Sequence, residues 1–182
     1  DKSDARLITL YGEKMNPRPF KVQGEAILRL RQKRTVIRQL TKQITAMSNL
    51  RGSLACLPVP DKGATHTVDE TIKFLEKKRD RLQAELTDLV EVEFSRQLAL
   101  LTTIKGIGIT LATALIITPG GFTYFQNAKQ VSRYLGICPT YEQSGTSVNI
   151  KGHINRNGDA YTRGLLYIAA WPASRFNAQC KE

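Results

Sequence analysis

A heptad repeat runs through residues 30–54, LRQKRTVIRQLTKQITAMSNLRGSL. Its apolar residues fall on two positions of the repeat, the first held by Leu30, Ile37 and Ile44 and the second by Leu40, Met47 and Leu54. Lys33 and Arg51 interrupt these two lines. A narrow apolar seam of this kind predicts one long helix, over about residues 21–54, that packs against a single partner helix.

The predicted partner helix lies further along the chain. After a turn-rich break at residues 57–66, Thr67 and Glu70 have the spacing of a capping box, in which two side chains satisfy free helix amides. The second helix is therefore expected to begin at Thr67. Its apolar seam consists of Val68, Ile72, Leu75, Leu82, Leu86 and Leu89. Two such helices joined by a short loop predict an antiparallel coiled-coil hairpin, which can also form a homo-oligomer.

The residues before and after the hairpin complete a mainly α fold. Residues 1–17 have the pattern of the middle of a helix, which Pro17 and Pro19 then end. Past Ser95 the spacing changes to that of a small helical domain, with helices expected near 98–101, 111–117, 127–135 and 160–170, the last ending before Trp171. Residues 140–158 are polar and Gly-rich, which predicts a loop or a short hairpin. The expected domains are 1–17, 18–95 and 96–182.

Positive charge is concentrated in two blocks of the chain. The formal net charge is +11, and residues 18–54 carry nine basic side chains against the single acidic Glu25. Residues 96–182 carry nine basic and three acidic side chains, whereas the stretch between the blocks is acidic overall. Two basic surfaces favour a polyanionic partner, either nucleic acid or an acidic membrane. The longest apolar stretch, near 107–117, is too short to span a bilayer, so nucleic acid is the better prediction.

The three cysteines are Cys56, Cys138 and Cys180, which lie far apart and form no pair with metal-ligand spacing. This distribution predicts reduced thiols in a cytoplasmic protein and argues against a zinc site.

The sharpest local motif is the turn Ile104-Lys105-Gly106-Ile107-Gly108 between two apolar, helical stretches. It matches a helix-hairpin-helix, in which two glycines leave the amides of the second helix open to a phosphate oxygen. Lys105 adds a positive charge beside them. Such a device binds the DNA backbone without reading the base sequence. The alternative is an ordinary helical corner, where the glycines serve close packing.

Two further groups of residues have chemistry that is weak evidence when taken alone. Asp1 and Asp4 share one face of a helix and could hold Mg²⁺, although a solvated helix face explains them as well. Ser144 and Ser147 lie in a polar loop, and either hydroxyl could attack a phosphodiester if cations offset the developing charge. The cations that follow this loop are Lys151, Arg156 and Arg163. Ordinary turns also contain Ser-Gly pairs.

The order of these motifs resembles the C-terminal transposase domain of the insertion sequence 110 family, which includes Piv-type DNA invertases. The resemblance covers about residues 98–177 and rests on many short motifs in the same order. They are Gly106-Ile107-Gly108, Tyr134-Leu135-Gly136 with Pro139, Ser144-Gly145, Gly152 with Ile154, Arg156 and Gly158, and Ala169-Ala170. Asp1 and Asp4 resemble the end of the family's RuvC-like nuclease domain, and the hairpin resembles its coiled-coil insertion.

The resemblance implies a function and roles for particular residues. It implies a DNA transposase or recombinase that uses Ser144 as nucleophile, with Asp1 and Asp4 completing an acidic Mg²⁺ site. Family members act as multimers and use a structured RNA to select DNA, so DNA, a guide RNA and a second copy are the implied partners. Lys105, Gly106, Gly108, Lys151, Arg156 and Arg163 are the implied contacts to DNA.

Some features depart from the family pattern. The family's first two acidic residues have no counterpart here, and the chain has the pattern of one cut short at both ends. It is therefore expected to bind nucleic acid without recombining it. Asp159 replaces a usual Asn, which weakens any role for that side chain. Two other hypotheses stay open: a non-enzymatic helix-hairpin-helix module that binds DNA, and a helical scaffold whose heptads bind another protein.

Overall fold

The computed structural model describes residues 1–17, 22–144, 148–154 and 157–178, and it is mainly helical, as predicted. The first helix, α1, spans Lys2–Met15, and none of its residues is buried. In the described ranges, no helix combines the length and the apolarity needed to cross a bilayer.

Two long helices form the predicted antiparallel hairpin. They are α2, Glu25–Ala55, and α3, Lys62–Glu93. The first seam of α2 is buried at Leu30, Ile37 and Ile44. The buried residues of α3 lie near its two ends and are Val68, Ile72, Leu86 and Val90. The second seam of α2 is half-buried against α3. The heptad pattern therefore identified the packed faces correctly.

The two charged interruptions of the seam are paired across the hairpin. The Nζ of Lys33 lies 2.6 Å from an Oε of Glu85, and the Nη1 of Arg51 lies 3.4 Å from an Oδ of Asp69. These pairs are partly or largely exposed, so each is worth less than about 1 kcal/mol. Their effect is to favour one register of α2 against α3, since a slip of one helix turn would leave the cations unpaired.

The predicted start of the second helix was wrong. Asp61 is the N-cap of α3, and its side chain accepts a hydrogen bond from the amide of Ala64 at 2.6 Å. Thr67 lies inside the helix, where its hydroxyl donates to the carbonyl of Gly63 at 3.0 Å. An Asp side chain caps a helix at least as well as Thr does, so the earlier of the two capping signals prevails. The connection shortens to residues 56–61.

In its described residues, the C-terminal unit contains four helices and one pair of strands. The helices are α4, Ser95–Thr102; α5, Ile109–Ile117; α6, Ala128–Leu135; and α7, Ala160–Phe176. The strands are β1, Pro139–Ser144, and β2, Val148–Ile154, which pair in antiparallel fashion. The predicted end of the last helix before Trp171 was wrong, because α7 continues through Pro172. Ala169 and Ala173, on either side of that proline, pack against Gly106 and hold the final turns in place.

A single apolar cluster joins the hairpin to this unit. It combines Ile27, Leu30 and Ile37 of α2 with Leu86 and Val90 of α3 and with Ile116 and Ile117 of α5. Leu30, Ile116 and Ile117 have no exposed surface. The open end of the hairpin and the C-terminal unit therefore share one core.

The base of the strand pair is fixed by two glycines whose backbones cross. Gly136 ends α6 with φ +72°, and a Cβ there would collide with the carbonyl oxygen of Asn157. Gly158 has φ +91°, and a Cβ there would lie 2.6 Å from the carbonyl carbon and oxygen of Leu135. Both the left-handed torsion and the close approach require glycine at these positions. The two ends of the strand pair are held together by this crossing.

We expect Gly136→Ala and Gly158→Ala each to lower the free energy of unfolding by at least about 2 kcal/mol, since each adds backbone strain and a clash. Gly164→Ala is the matched control, because Gly164 lies in α7 with open space around its Cβ. That change should raise the free energy of unfolding by about 0.4–1 kcal/mol. Urea denaturation followed by circular dichroism measures all three. Equal stability of the three variants would contradict the close backbone contacts at Gly136 and Gly158.

Candidate nucleic-acid interface and serine hairpin

The predicted nucleophile lies at the tip of the strand pair. Ser144 is the last residue of β1, and its backbone pairs with that of Val148. We refer to β1 and β2 with their connection as the serine hairpin. The side chain of Ser144, and all of Ser147, lie outside the described residues. The polar stretch after residue 139 thus forms a short hairpin, one of its two expected forms.

The predicted cations around the serine hairpin have different positions. Lys151 lies in β2, but its side chain is outside the described part of the chain, as is the whole of Arg156. Arg163 lies on α7, and its Nη1 donates to the carbonyls of Leu135 at 3.3 Å and Asn157 at 2.8 Å. Arg163 therefore ties the end of α6 to the base of the serine hairpin. A contact of Arg163 with DNA stays a prediction.

Asp159 is the centre of a polar network at that same base. It is the N-cap of α7, with the amide of Tyr161 donating to Oδ1 at 3.3 Å and the hydroxyl of Thr162 donating to Oδ2 at 2.7 Å. The hydroxyl of Thr118, at the end of α5, lies 3.3 Å from Oδ2 and 2.9 Å from the Thr162 hydroxyl. The Asp159 carboxylate therefore connects α5 and α7.

Two arginines of α2 complete the Asp159 network. The Nη1 atoms of Arg34 and Arg38 each lie 3.5 Å from an oxygen of the carboxylate. Arg34 also donates to the Thr118 hydroxyl at 2.7 Å, and the guanidinium of Arg38 lies 5.2 Å from the centre of the Tyr161 ring. The helical hairpin is therefore joined to the C-terminal unit by these charges as well as by the apolar core.

The network shifts the pKa values of its charged members. Burial acts to raise the pKa of Asp159, but the Thr162 hydroxyl, the Arg34 guanidinium, the Tyr161 amide and Arg38 together hold it below its usual value. Burial lowers the pKa of Arg34, and the Asp159 carboxylate opposes that effect. An arginine pKa starts so high that Arg34 stays charged near neutral pH. Both members are therefore ionised, and their attraction links α2 to α7.

A cleft of about 580 Å³ opens beside this network. We call it the arginine cleft and define it by the lining residues Arg31, Arg34, Thr35, Thr118, Arg133 and Asp159. Arg31 donates from Nη2 to the carbonyl of Thr118 at 2.8 Å and from Nε to that of Ile117 at 3.4 Å, so it caps the C-terminus of α5. Arg133 lies on α6 with its side chain exposed.

Sequence reasoning missed the arginine cleft. The available signal was the spacing of Arg31, Arg34 and Arg38, which places three guanidinium groups on one face of a helix. A count of charges places these arginines only in the basic block of residues 18–54. Its meeting with Thr118, Arg133 and Asp159 depends on the packing of α2 against α5.

The turn at residues 104–108 lies between two helices, α4 and α5, as the motif predicts. Gly106 has φ +104°, and a Cβ there would lie 3.0 Å from the carbonyl oxygen of Ala169 on α7. Gly106 therefore serves close packing. Gly108 is the exposed N-cap of α5 and has open space around its missing Cβ. Lys105 is also exposed. Contact of this turn with a phosphate stays a prediction.

The two predicted metal ligands lie at the start of α1. Asp1 is the N-cap and accepts a hydrogen bond from the amide of Ser3 at 3.0 Å, while Asp4 follows in the first turn. The side chains of both residues are more than two-thirds exposed. Across the described ranges, no third His, Cys, Asp or Glu joins them in a group that could hold a metal ion. Their carboxylates suit Mg²⁺ in kind but supply only two ligands.

The C-terminal unit matches a known family of DNA-transposing proteins. Residues 98–182 match the model of the family described as "Transposase IS116/IS110/IS902 family". This stretch contains the turn after α4, the serine hairpin and Asp159. The C-terminal unit is thus similar to the transposases of this family, in agreement with the resemblance seen in the sequence.

Individual relatives extend the similarity beyond this unit. The chain is 28% identical over 176 residues to the "Pilin gene-inverting protein" of Moraxella bovis, covering 93% of this chain and 52% of the relative. It is 30% identical over 105 residues to the "Insertion element IS110 uncharacterized 43.6 kDa protein" of Streptomyces coelicolor, covering 54% of this chain and 25% of the relative. The "Probable family 20 transposase" of Pseudomonas aeruginosa is 27% identical over 116 residues, covering 64% and 33%. The chain spans about half the length, or less, of these curated relatives.

We expect Asp159→Asn to lower the free energy of unfolding by about 1–3 kcal/mol at neutral pH, because an amide keeps the helix cap but loses the attraction to two arginines. Asp159→Ala should cost about 1 kcal/mol more, since it also removes the cap. Denaturant unfolding at several pH values measures both.

The effect of Asp159→Asn should depend on pH in a defined direction. A carboxylate whose folded-state pKa is lowered stabilises the fold fully above its unfolded pKa, about 3.9, and loses that effect as pH falls through the folded value. The stability difference between the native protein and the variant should therefore shrink below about pH 4. Asp88→Asn, at an exposed position of α3, is the control and should change little. A difference that stays constant down to acidic pH would refute the charge network.

Proposed function

We propose that this chain is the DNA-handling part of a transposase or recombinase that cleaves and rejoins DNA strands through Ser144. The observation that carries the proposal is the position of this serine at the tip of a hairpin whose base is held by Asp159 and Arg163. The hairpin lies within the stretch that matches a transposase family. A basic cleft lies at the base of this hairpin. A serine at the tip can therefore reach the backbone of a DNA strand that the basic surfaces around the hairpin bind.

The chemistry assigned to Ser144 is a transesterification. Its oxygen attacks phosphorus, its proton passes to a base or to water, and the deoxyribose oxygen leaves and takes up a proton. The strand is then joined to the protein as a phosphoserine ester. Attack by the hydroxyl of a second strand breaks that ester and returns the proton to Ser144, so no energy source is needed.

In this proposal the acidic site includes Asp1 and Asp4 and takes Mg²⁺. Bound there, the ion would offset the negative charge that develops on the phosphoryl oxygens. Because two exposed carboxylates supply too few ligands, the site needs further ligands from elsewhere in the assembly. The proposal places the acidic site of one copy opposite Ser144 of another, with the coiled coil as the contact between copies.

The partners in this proposal are DNA and a structured guide RNA. The support is the excess of positive charge in residues 18–54 and 96–182, two stretches that meet at the arginine cleft. Charge of this kind contacts phosphates of either nucleic acid and gives affinity that falls steeply with salt. Binding that is absent or insensitive to salt would instead favour a helical scaffold.

We expect Ser144→Ala to slow formation of a covalent protein–DNA complex by about a thousandfold or more while leaving DNA binding unchanged. The assay uses the longest open reading frame that contains this sequence, labelled DNA, Mg²⁺ and detection of a detergent-resistant complex. Ser147→Ala is the matched control, three residues further along the chain. A loss of covalent complex formation confined to Ser147→Ala would assign the role of nucleophile to Ser147. No loss in either variant would refute the serine mechanism.

A second candidate is a non-enzymatic helix-hairpin-helix module, favoured by the exposed Gly108 at the start of α5. We expect Gly108→Ala to change stability by less than about 1 kcal/mol, because its backbone torsions suit alanine. If α5 binds a phosphate through its amides, the added methyl should weaken DNA binding severalfold. Gly52→Ala, at an open site on α2, is the control. Unchanged affinity for DNA, measured by fluorescence anisotropy, would exclude a role for this turn.

A further inference from the structure

The arginine cleft has a positive lining that the fold does not neutralise. It holds three guanidinium groups, those of Arg31, Arg34 and Arg133, against the single carboxylate of Asp159. That carboxylate is shared further with Arg38, which lies outside the cleft. Within the part of the chain that the structure describes, Arg133 forms no ion pair. The cleft therefore has room and charge for an additional anion.

Two of the three arginines of the cleft are held in place before any ligand arrives. Arg31 is fixed by two carbonyls at the end of α5, and no intramolecular bond to its Nη1 is found among the described residues. Arg34 is fixed by the Thr118 hydroxyl and by Asp159. Arg34 is also more than four-fifths buried. A site whose cations are already oriented loses less side-chain entropy when an anion binds.

The position of the cleft relates it to the serine hairpin. The chain leaves the cleft wall at Arg133, enters β1 at Pro139 and returns from β2 to Gly158 and Asp159. Six residues of β1 can place Ser144 at most about 17 Å from the base of the hairpin. Along the axis of a duplex, each phosphate of one strand adds about 3.4 Å, so this span corresponds to at most about five nucleotides measured along that axis.

We propose that the arginine cleft binds a backbone phosphodiester a few nucleotides away from the one that Ser144 attacks. The relation to Ser144 rests on the proposed function, whereas phosphodiester binding by the cleft does not. Arg31, Arg34 and Arg133 are positioning residues: they fix the strand relative to the hairpin without touching the reacting phosphorus. The ligand chemistry is a phosphodiester, which DNA and RNA share.

The decisive variant is Thr35→Glu, which places a carboxylate on the cleft wall. Thr45→Glu is the matched control, because both threonines are exposed on α2 and both hydroxyls donate to the carbonyl four residues earlier. The two changes alter the net charge equally, but Thr45 does not line the cleft. We expect Thr35→Glu to weaken binding of short labelled duplex DNA more than tenfold, and Thr45→Glu to weaken it less than threefold.

A second pair of variants removes a charge instead of adding one. We expect Arg133→Gln to weaken binding about five- to tenfold and to lower the slope of affinity against salt by about one, the effect of one lost phosphate contact. Lys129→Gln, exposed on the same helix α6, is its control and should change the slope less. Thermal melting followed by circular dichroism verifies that all four variants fold. A merely structural role would move the melting temperature and not the salt slope.

The outcomes distinguish DNA from RNA as the ligand of the cleft. They also test the cleft independently of the serine mechanism. Loss confined to duplex DNA supports the cleft with DNA as its ligand, and loss confined to a single-stranded RNA probe supports it with RNA. Equal binding by each variant and its control, for both probes, overturns the cleft. If Thr35→Glu weakens binding while Ser144→Ala leaves covalent complex formation intact, the serine mechanism fails and the cleft stands.

Discussion

The structure depends on the burial of Leu30 and its neighbours where the coiled-coil hairpin meets α5. Leu30, Ile116 and Ile117 are fully buried in one cluster. Truncating one such leucine costs about 2–5 kcal/mol, and the cluster contains seven buried residues, whereas loss of the Asp159 charge that α2 contacts is expected to cost about 1–3 kcal/mol in all. The apolar contact therefore decides how α2 lies on the C-terminal unit. The charged contacts refine that position.

The orientation of α2 brings its basic face to the base of the serine hairpin. With Leu30 directed into the core, Arg31 and Arg34 lie beside the end of α5, where carbonyls and the Thr118 hydroxyl receive them. Burying Arg34 is unfavourable unless an anion accompanies it, and Asp159 supplies that anion. An asparagine there would keep the helix cap without the charge. The charge of Asp159 is thus matched by the arginines of α2.

This arrangement joins two parts that were expected to be separate domains, residues 18–95 and 96–182. The helical hairpin supplies Arg34 and Arg38 of the Asp159 network, and the C-terminal unit supplies Thr118, Asp159 and Thr162. Asp159 is therefore the residue through which the helical hairpin contacts the base of the serine hairpin.

The sequence by itself determined the heptad faces, the position of the polar stretch and the transposase resemblance of residues 98–177. These features depend on local periodicity and on short motifs, which act over a few neighbouring residues. The sequence misplaced the start of α3, where Asp61 outcompetes Thr67 as a cap, and the end of α7, where packing on Gly106 carries the helix past Pro172. Only the tertiary structure decided that Asp159 pairs with Arg34 and that Arg31 and Arg133 line one cleft. Those residues lie far apart in the chain, and the burial of a shared core brings them together.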